Sequence, residues 1–304
     1  MSERKHAFVT GATGFVGSHL VCRLLSDGHR VSVLARGSKT APARERILDV
    51  LSVVSESKDR MAGMLDRLTV LEGDISLPNL GIETDALRKA VESIDETWHV
   101  AASLSFAEEE RDEIFRMNVD GARNVVGVVK RTRAKRLHHV STAYVAGVRD
   151  VALESEIFVG QEFRNPYEAS KCQAEQFIDA ERAKGAIVPT VYRPSVVIGD
   201  SRSGRVTHFH GVYAFIRGLW STLERMRRKN PSGGTIHLPL RVPGSGNTTL
   251  NFVPIDYVVN GMVEIGGRNT SIGKTYHLAN PSRRPIRCGC RPCAICSEWT
   301  DSDS

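Results

Sequence analysis

Apolar residues along this chain follow two alternating rhythms, and their alternation predicts an α/β fold. His6-Ala-Phe-Val-Thr10 is a short apolar run ending at glycines, as a buried parallel strand does. Phe15 to Ser26 then places Val16, Leu20, Val21, Leu24 and Leu25 at helical spacing. After the turn Asp27-Gly28-His29, Arg30 to Ala35 is a second apolar strand. Two short amphipathic helices follow, one carried by Ile47, Val50, Leu51 and Val54, the other by Met61, Met64, Leu65 and Leu68. Further strands are expected over 68–72, 97–102, 137–140 and 186–192, with helices over 114–129 and 167–183 between them. Alternation of this kind builds a Rossmann-type doubly wound parallel sheet, with ligands at the carboxyl ends of the strands. Beyond Arg193-Pro194 the rhythm loosens, and residues 201–250 mix a helix with Gly/Pro-rich loops. The expected division is a dinucleotide-binding domain over 1–200, a small substrate-binding region over 201–280 interleaved with the last strands, and a Cys-rich tail over 281–304.

The first strand-to-helix turn reads Thr10-Gly-Ala-Thr-Gly-Phe-Val-Gly17. Gly11, Gly14 and Gly17 let the backbone turn tightly, approach a pyrophosphate and pack helix on strand. Thr13, Phe15 and Val16 line the same turn, where a helix N-terminus offers amides and partial positive charge to phosphates. The second strand ends Val33-Leu34-Ala35-Arg36, and no acidic residue occurs between Asp27 and Glu45. An acidic side chain at that point would take the ribose 2′-hydroxyl of NAD; Arg36 is suited instead to a 2′-phosphate, which favours NADP(H).

Tyr167-Glu-Ala-Ser-Lys171 on the helix expected over 167–183, preceded by Ser141-Thr142 at a strand end, carries the chemistry. A phenol is a weak acid near neutrality, with an ordinary pKa of about 10. Lys171 lies one helical turn from Tyr167 on the same face, and its ammonium is expected to pull the phenol pKa downward. Thr142 is placed to hold a carbonyl oxygen while Tyr167 delivers or removes a proton.

Composition narrows the class without changing it. Of 304 residues, 41% are hydrophobic and 25% charged, with a formal charge of +6, as in an ordinary soluble globular protein. No basic run is interleaved with aromatics, which argues against nucleic-acid binding. No run reaches the roughly 18 apolar residues of a membrane span, and Met1 to Lys5 does not read as a signal peptide, so a cytoplasmic protein without stable membrane insertion is expected. Cys22 and Cys172 read as reduced, isolated thiols.

The sequence resembles the extended short-chain dehydrogenase/reductases over residues 5–280, and is most similar to their thioester reductase and fatty acyl-CoA reductase (male-sterility-type) branch. The residues that carry this are Gly73-Asp-Ile-Ser-Leu-Pro-Asn-Leu-Gly81, His99-Val-Ala-Ala-Ser-Leu-Ser-Phe106, Asn118-Val-Asp-Gly121, His139-Val-Ser-Thr-Ala-Tyr-Val-Ala-Gly147, Arg193-Pro-Ser195 and Asn251-Phe-Val-Pro-Ile-Asp-Tyr257. The resemblance implies that Thr142 orients the substrate carbonyl, Tyr167 donates the proton, and Lys171 binds the nicotinamide ribose. It puts Asp74 and Ile75 beside the adenine, Ala101, Ala102 and Ser103 on the ribose side, and Pro194, Ser195 and Val196 at the nicotinamide end. Asn118 would lie on the helix that props up the catalytic lysine; its alternative is an ordinary helix-start cap.

The implied activity is NADPH-dependent reduction of an acyl thioester, on CoA or a carrier protein, to aldehyde or alcohol. The alternative is a ketone, alcohol or sugar-nucleotide dehydrogenase or epimerase of the same superfamily. Three segments stay open. Lys130-Arg-Thr-Arg-Ala-Lys-Arg136 is a solvated helix end or an anion site. The amphipathic stretch His210–Lys229 is a lid over an acyl channel, ordinary core or a membrane-surface helix. Cys288, Cys290, Cys293 and Cys296 lack a second ligand group at the usual zinc-site spacing, so no metal is expected, and the tail departs from the family as a shifted or truncated end would.

Overall fold

A computed structural model describes residues 4–55, 58–207, 212–229, 249–281 and 284–285. The four tail cysteines lie outside the described residues. Residues 1–207 and 252–279 form one compact unit, and 208–251 with 280–304 a second.

In the first unit β1 (His6–Thr10), β2 (Arg30–Ala35), β3 (Leu68–Glu72), β4 (Glu96–His99), β5 (Arg136–Val140), β6 (Val188–Pro194), β7 (Val196–Ile198), β9 (Phe252–Pro254) and β10 (Thr275–Leu278) alternate with α1 (Phe15–Ser26), α2 (Ala43–Val54), α3 (Lys58–Leu65), α4 (Thr84–Ser93), α5 (Arg111–Phe115), α6 (Gly121–Val129), α7 (Pro166–Ala183) and α9 (Ile255–Gly266). The second unit contributes β8 (Thr249–Leu250), α8 (Val212–Lys229) and β11 (Arg284–Pro285), with β8 and β11 antiparallel. On α8, Ile216 and Trp220 stand mostly exposed and the last turn is basic.

Seven strands make a parallel sheet in the order β3-β2-β1-β4-β5-β6-β10. The order reverses between β1 and β4, which opens a crevice at their carboxyl ends. Register brings Thr10, His99 and His139 abreast there, on β1, β4 and β5. One face is covered by α1, α2 and α9 through Leu20, Val21, Ile47, Val258 and Met262, and the other by α4, α6 and α7 through Leu87, Val125, Val129 and Ile178. β10 was not expected from the sequence: Thr275–Leu278 is four residues long and carries no apolar run.

Local chemistry sets the helix bounds. Asn165 caps α7, its side chain accepting from the Glu168 amide at 3.0 Å, while the Glu168 carboxylate accepts from the Arg164 amide at 3.0 Å. Pro166 occupies the first helical position, where a missing amide costs nothing. Gly185, in the left-handed region at φ 68°, turns the chain off the far end. The expected helix over 114–129 is instead interrupted by a π turn at Arg116–Asp120, which shifts the helical register at Asn118.

One ion pair of this unit is buried almost completely. Arg193 at the end of β6 donates from Nε to Glu175 Oε1 at 3.0 Å and from Nη2 to Oε2 at 2.6 Å, both side chains 1% exposed. Its remaining donors reach the Leu153 and Glu156 carbonyls, so one guanidinium ties α7 to the loop that follows β5. Removing one partner strands the other charge in the core. Glu175→Gln is therefore expected to cost about 3–5 kcal/mol in urea unfolding. Asp179→Asn, which breaks the exposed Asp179–Arg182 pair, should cost less than about 1 kcal/mol. Equal midpoint shifts would contradict this.

Candidate active site

The glycine turn is tight enough to admit only glycine at two positions. Gly11 sits at φ 78°, and a Cβ there would lie 2.5 Å from the Ala101 amide nitrogen. A Cβ on Gly17 would lie 2.1 Å from the Gly11 carbonyl oxygen. The turn thus presses against the end of β4 on one side and against the start of α1 on the other. Gly14 is the N-cap residue and offers no side chain to the first turn. Thr13, Phe15 and Val16 follow around the helix start, whose positive end suits a pyrophosphate.

Arg36 follows β2 directly, with its side chain 58% exposed, and its Nη1 donates to Asp74 Oδ2 at 3.5 Å. A second guanidinium comes from α2, where Arg46 donates to the Arg36 carbonyl. Sequence reading missed Arg46 because its spacing from Arg36 is set by a tertiary approach. Asp74 also accepts from the Ser76 amide at 2.9 Å; partial burial opposes ionisation, but the Ser76 and Arg36 hydrogen bonds outweigh it and hold the carboxyl below its ordinary pKa. Asp74 and Ile75 are positioned by an unusual turn in which Asn79 and Leu80, neither a glycine, have φ of 52° and 61°. The Leu80 carbonyl accepts from the Asp74 amide at 2.7 Å, and Leu80 is fully buried. Ile75 packs on Gly121.

The catalytic candidates converge from three elements. Thr142, just past β5, accepts from the Tyr144 amide at 3.2 Å and lies beside Tyr167, whose pKa its hydroxyl pulls down. Lys171 lies one turn along α7 and donates from Nζ to the Val140 carbonyl at 2.7 Å. Asn118, buried and inside the π turn, is no helix cap. Its Nδ2 donates to Ser170 Oγ at 2.9 Å and to the Ser103 carbonyl at 3.2 Å, while its Oδ1 accepts from the Ser103 amide at 2.7 Å. Asn118 therefore braces α7 next to Lys171 and fixes the segment after β4. Ser170, which sequence reading passed over, completes the brace by donating to the Tyr167 carbonyl at 2.9 Å.

The electrostatics differ from the expectation that Lys171 lowers the tyrosine pKa. Burial pushes the Tyr167 phenol up to about 12, with the Thr142 hydroxyl opposing it. Burial brings Lys171 down to about 8, against the pull of Glu175 one turn further along α7. Tyr167 is thus protonated and Lys171 mostly charged near neutrality. Burial and the Lys171 charge also keep two imidazoles neutral: His99 is pushed down to about 3, and His139 well below its usual value. His99 Nδ1 bonds with Thr10 Oγ1 at 2.8 Å, whereas neither ring nitrogen of His139 has a partner among the described residues.

Ala101, Ala102 and Ser103 follow β4 along the crevice, and the Ala101 amide donates to Thr10 Oγ1 at 3.4 Å. Pro194 closes β6, the Ser195 amide donates to the Leu278 carbonyl at 3.0 Å, and Val196 opens β7. Ser195 Oγ is buried without a partner among the described residues. A glycine cradle, a helix N-terminus, a buried lysine and this unpartnered hydroxyl fit a dinucleotide laid across the strand ends. By contrast, the basic stretch before β5 lies at the strand's amino end: Lys130 pairs with Glu181, and Arg136 donates to Ser271 Oγ at 3.0 Å. Among the described residues, no group of three His, Cys, Asp or Glu side chains is arranged to hold a metal ion, and no helix is long and apolar enough to cross a membrane.

Comparison with known proteins decides the family. Residues 9–262 match the NAD-binding family model described as male sterility protein. The chain belongs to this family. A nonribosomal peptide synthetase of Aspergillus flavus is 28% identical over 290 residues, covering 91% of this chain and 26% of that protein. A putative fatty acyl-CoA reductase of Drosophila melanogaster is 26% identical over 330 residues, covering 93% of this chain and 60% of that one. The chain therefore spans only part of the length of either relative. Among solved structures, the terminal R domain of the myxalamid PKS-NRPS pathway superposes with a TM-score of 0.78 at 29% identity, covering 94% of this chain and 68% of that one. A UDP-N-acetylglucosamine 4-epimerase of Methanobrevibacter ruminantium, at 19% identity and a TM-score of 0.66, shares the fold. As a male sterility family member, the chain carries an NAD-binding domain with the fold of that R domain.

The position of Lys171 yields a pH dependence. If its ammonium is required, kcat/KM falls as pH rises through about 8, where the buried lysine loses its proton, while protonated Tyr167 imposes no limb below about 12. A profile of reduced-nicotinamide oxidation flat to pH 10 would contradict the role given to Lys171.

Proposed function

We propose that the chain is an NADPH-dependent reductase of acyl thioesters, carried on CoA or a carrier protein, yielding an aldehyde or, after a second round, an alcohol. The observation that carries this reading is the Thr142–Tyr167 hydroxyl pair beside a buried Lys171 at the mouth of a dinucleotide crevice. Its similarity to an R domain and to a putative fatty acyl-CoA reductase supports thioesters as the substrate class.

Gly11 to Gly17 and the start of α1 would hold the pyrophosphate, Asp74, Ile75 and Ala101 to Ser103 the adenosine side, and Pro194 to Val196 the nicotinamide side. Arg36, joined by Arg46, would take the 2′-phosphate. The bound nicotinamide supplies hydride at the carbonyl carbon. Thr142 and Tyr167 hold the carbonyl oxygen, and their hydrogen bonds strengthen as negative charge gathers there. Tyr167, protonated at neutral pH, gives its proton to that oxygen. The hydroxyl of the resulting hemithioacetal then returns its proton to the Tyr167 phenolate as C=O re-forms and the C–S bond breaks, and the departing thiolate takes a proton from water. Lys171 would anchor the ribose and restrain the charge left on the phenol. Cys172, whose thiol burial pushes up to about 11, has no role as a nucleophile.

The test is steady-state NADPH oxidation with acyl-CoA substrates. Tyr167→Phe keeps the ring and should leave NADPH binding nearly unchanged while kcat falls by about 10²–10⁴-fold. Arg36→Asp in the same assay should erase an NADPH-over-NADH preference of about tenfold or more. Undiminished turnover by Tyr167→Phe would overturn the assignment of the acid, and equal affinity of the unmutated protein for both cofactors would overturn NADPH.

A further inference from the structure

The segment that leaves β4 alternates in a way the chemistry above does not use. Ser103 and Ser105 turn toward the backbone: Ser103 Oγ accepts from the Ser105 amide at 3.5 Å, and Ser105 Oγ accepts from the Ala107 amide at 3.3 Å. Leu104 and Phe106 stand outward, 55% and 51% exposed. Asn118 grips Ser103 at both its amide and its carbonyl, so the two apolar side chains are presented by a braced segment. The Phe106 ring lies 5.5 Å from the Tyr167 ring, centroid to centroid, with the planes at 45°.

A carbonyl oxygen held by Thr142 and Tyr167 therefore has its carbon beside an exposed phenyl ring. A thioester carbonyl has two arms, one a hydrocarbon and the other a sulfur leading to a polar, phosphate-bearing carrier. The apolar pair matches the first arm. Charge points the same way: Glu108, Glu109 and Glu110 follow immediately in a solvent-exposed turn, and although Glu108 pairs with Arg111, Glu109 and Glu110 would repel phosphates. We propose that Leu104 and Phe106 form a shelf that seats the acyl carbons next to the reacting carbonyl and sets the preference for longer acyl chains. The assignment of the two arms rests on the thioester reading; the shelf itself requires only a carbonyl compound with an alkyl arm.

The experiment compares kcat/KM for octanoyl-CoA and acetyl-CoA, and in parallel for octanal and acetaldehyde, in the unmutated protein, Phe106→Ala and Phe106→Leu. Phe106→Ala should reduce the preference for the eight-carbon substrate by about tenfold, through KM, with the NADPH dissociation constant unchanged. Phe106→Leu, which keeps an apolar surface, should restore most of it. A preference unchanged in Phe106→Ala, or a uniform fall in kcat for both chain lengths, overturns the shelf and leaves the thioester reading standing. Reduction of the aldehydes alone by the unmutated protein overturns the thioester reading, and the shelf is then judged on the same ratio for octanal. Turnover of neither series overturns both.

Discussion

One hydrogen bond organises the site: the Lys171 ammonium, buried under α7, donates to the Val140 carbonyl at the end of β5. A charge in that position is costly to desolvate, so the surrounding polar groups have to fix both ends of the contact. Asn118 does so from the side through Ser170, and Asn165 with Glu168 does so at the helix start. Further along α7, Glu175 and Arg193 lock the same helix to β6 and to the loop past Thr142. Tyr167 is thus carried on a helix whose rotation and height above the sheet are fixed at three levels. Its hydroxyl meets Thr142 as a result.

Burial also divides the protonation states at the site. The phenol is driven up and stays a donor, and the lysine is driven down yet keeps most of its charge near neutrality. The two imidazoles abreast on β4 and β5 remain neutral beside it. The sheet register that lines up Thr10, His99 and His139 is therefore part of the electrostatics of α7 as well as of the fold.

What the sequence made legible was whatever local rules encode. Strand β1, helix α1 and strand β2 follow from periodicity and from glycines whose missing side chains are required by contacts of 2.5 Å or less. The spacing of Tyr167 and Lys171 placed both on one turn of α7. Tertiary effects were not legible. The π turn at Asn118 arises where α5 and α6 meet, and nothing in Arg116-Met-Asn-Val-Asp120 announces it. The paired left-handed Asn79 and Leu80 are stabilised by the Asp74 hydrogen bond within the turn and by burial of Leu80, the latter a tertiary consequence. The upward shift of Tyr167 was missed for the same reason: helical spacing gives the neighbour, but only packing gives the depth of burial.

The central claim is that this crevice delivers a hydride from a nicotinamide to a thioester carbonyl. Its most direct test is to supply NADPH bearing deuterium at the transferable position of C4 together with octanoyl-CoA, and to weigh the product. The account predicts octanal carrying one deuterium on the former carbonyl carbon, or octanol carrying two, with free CoA released in equal amount. Octanoic acid with no deuterium, or oxidation of NADPH with the label lost to water, would contradict it.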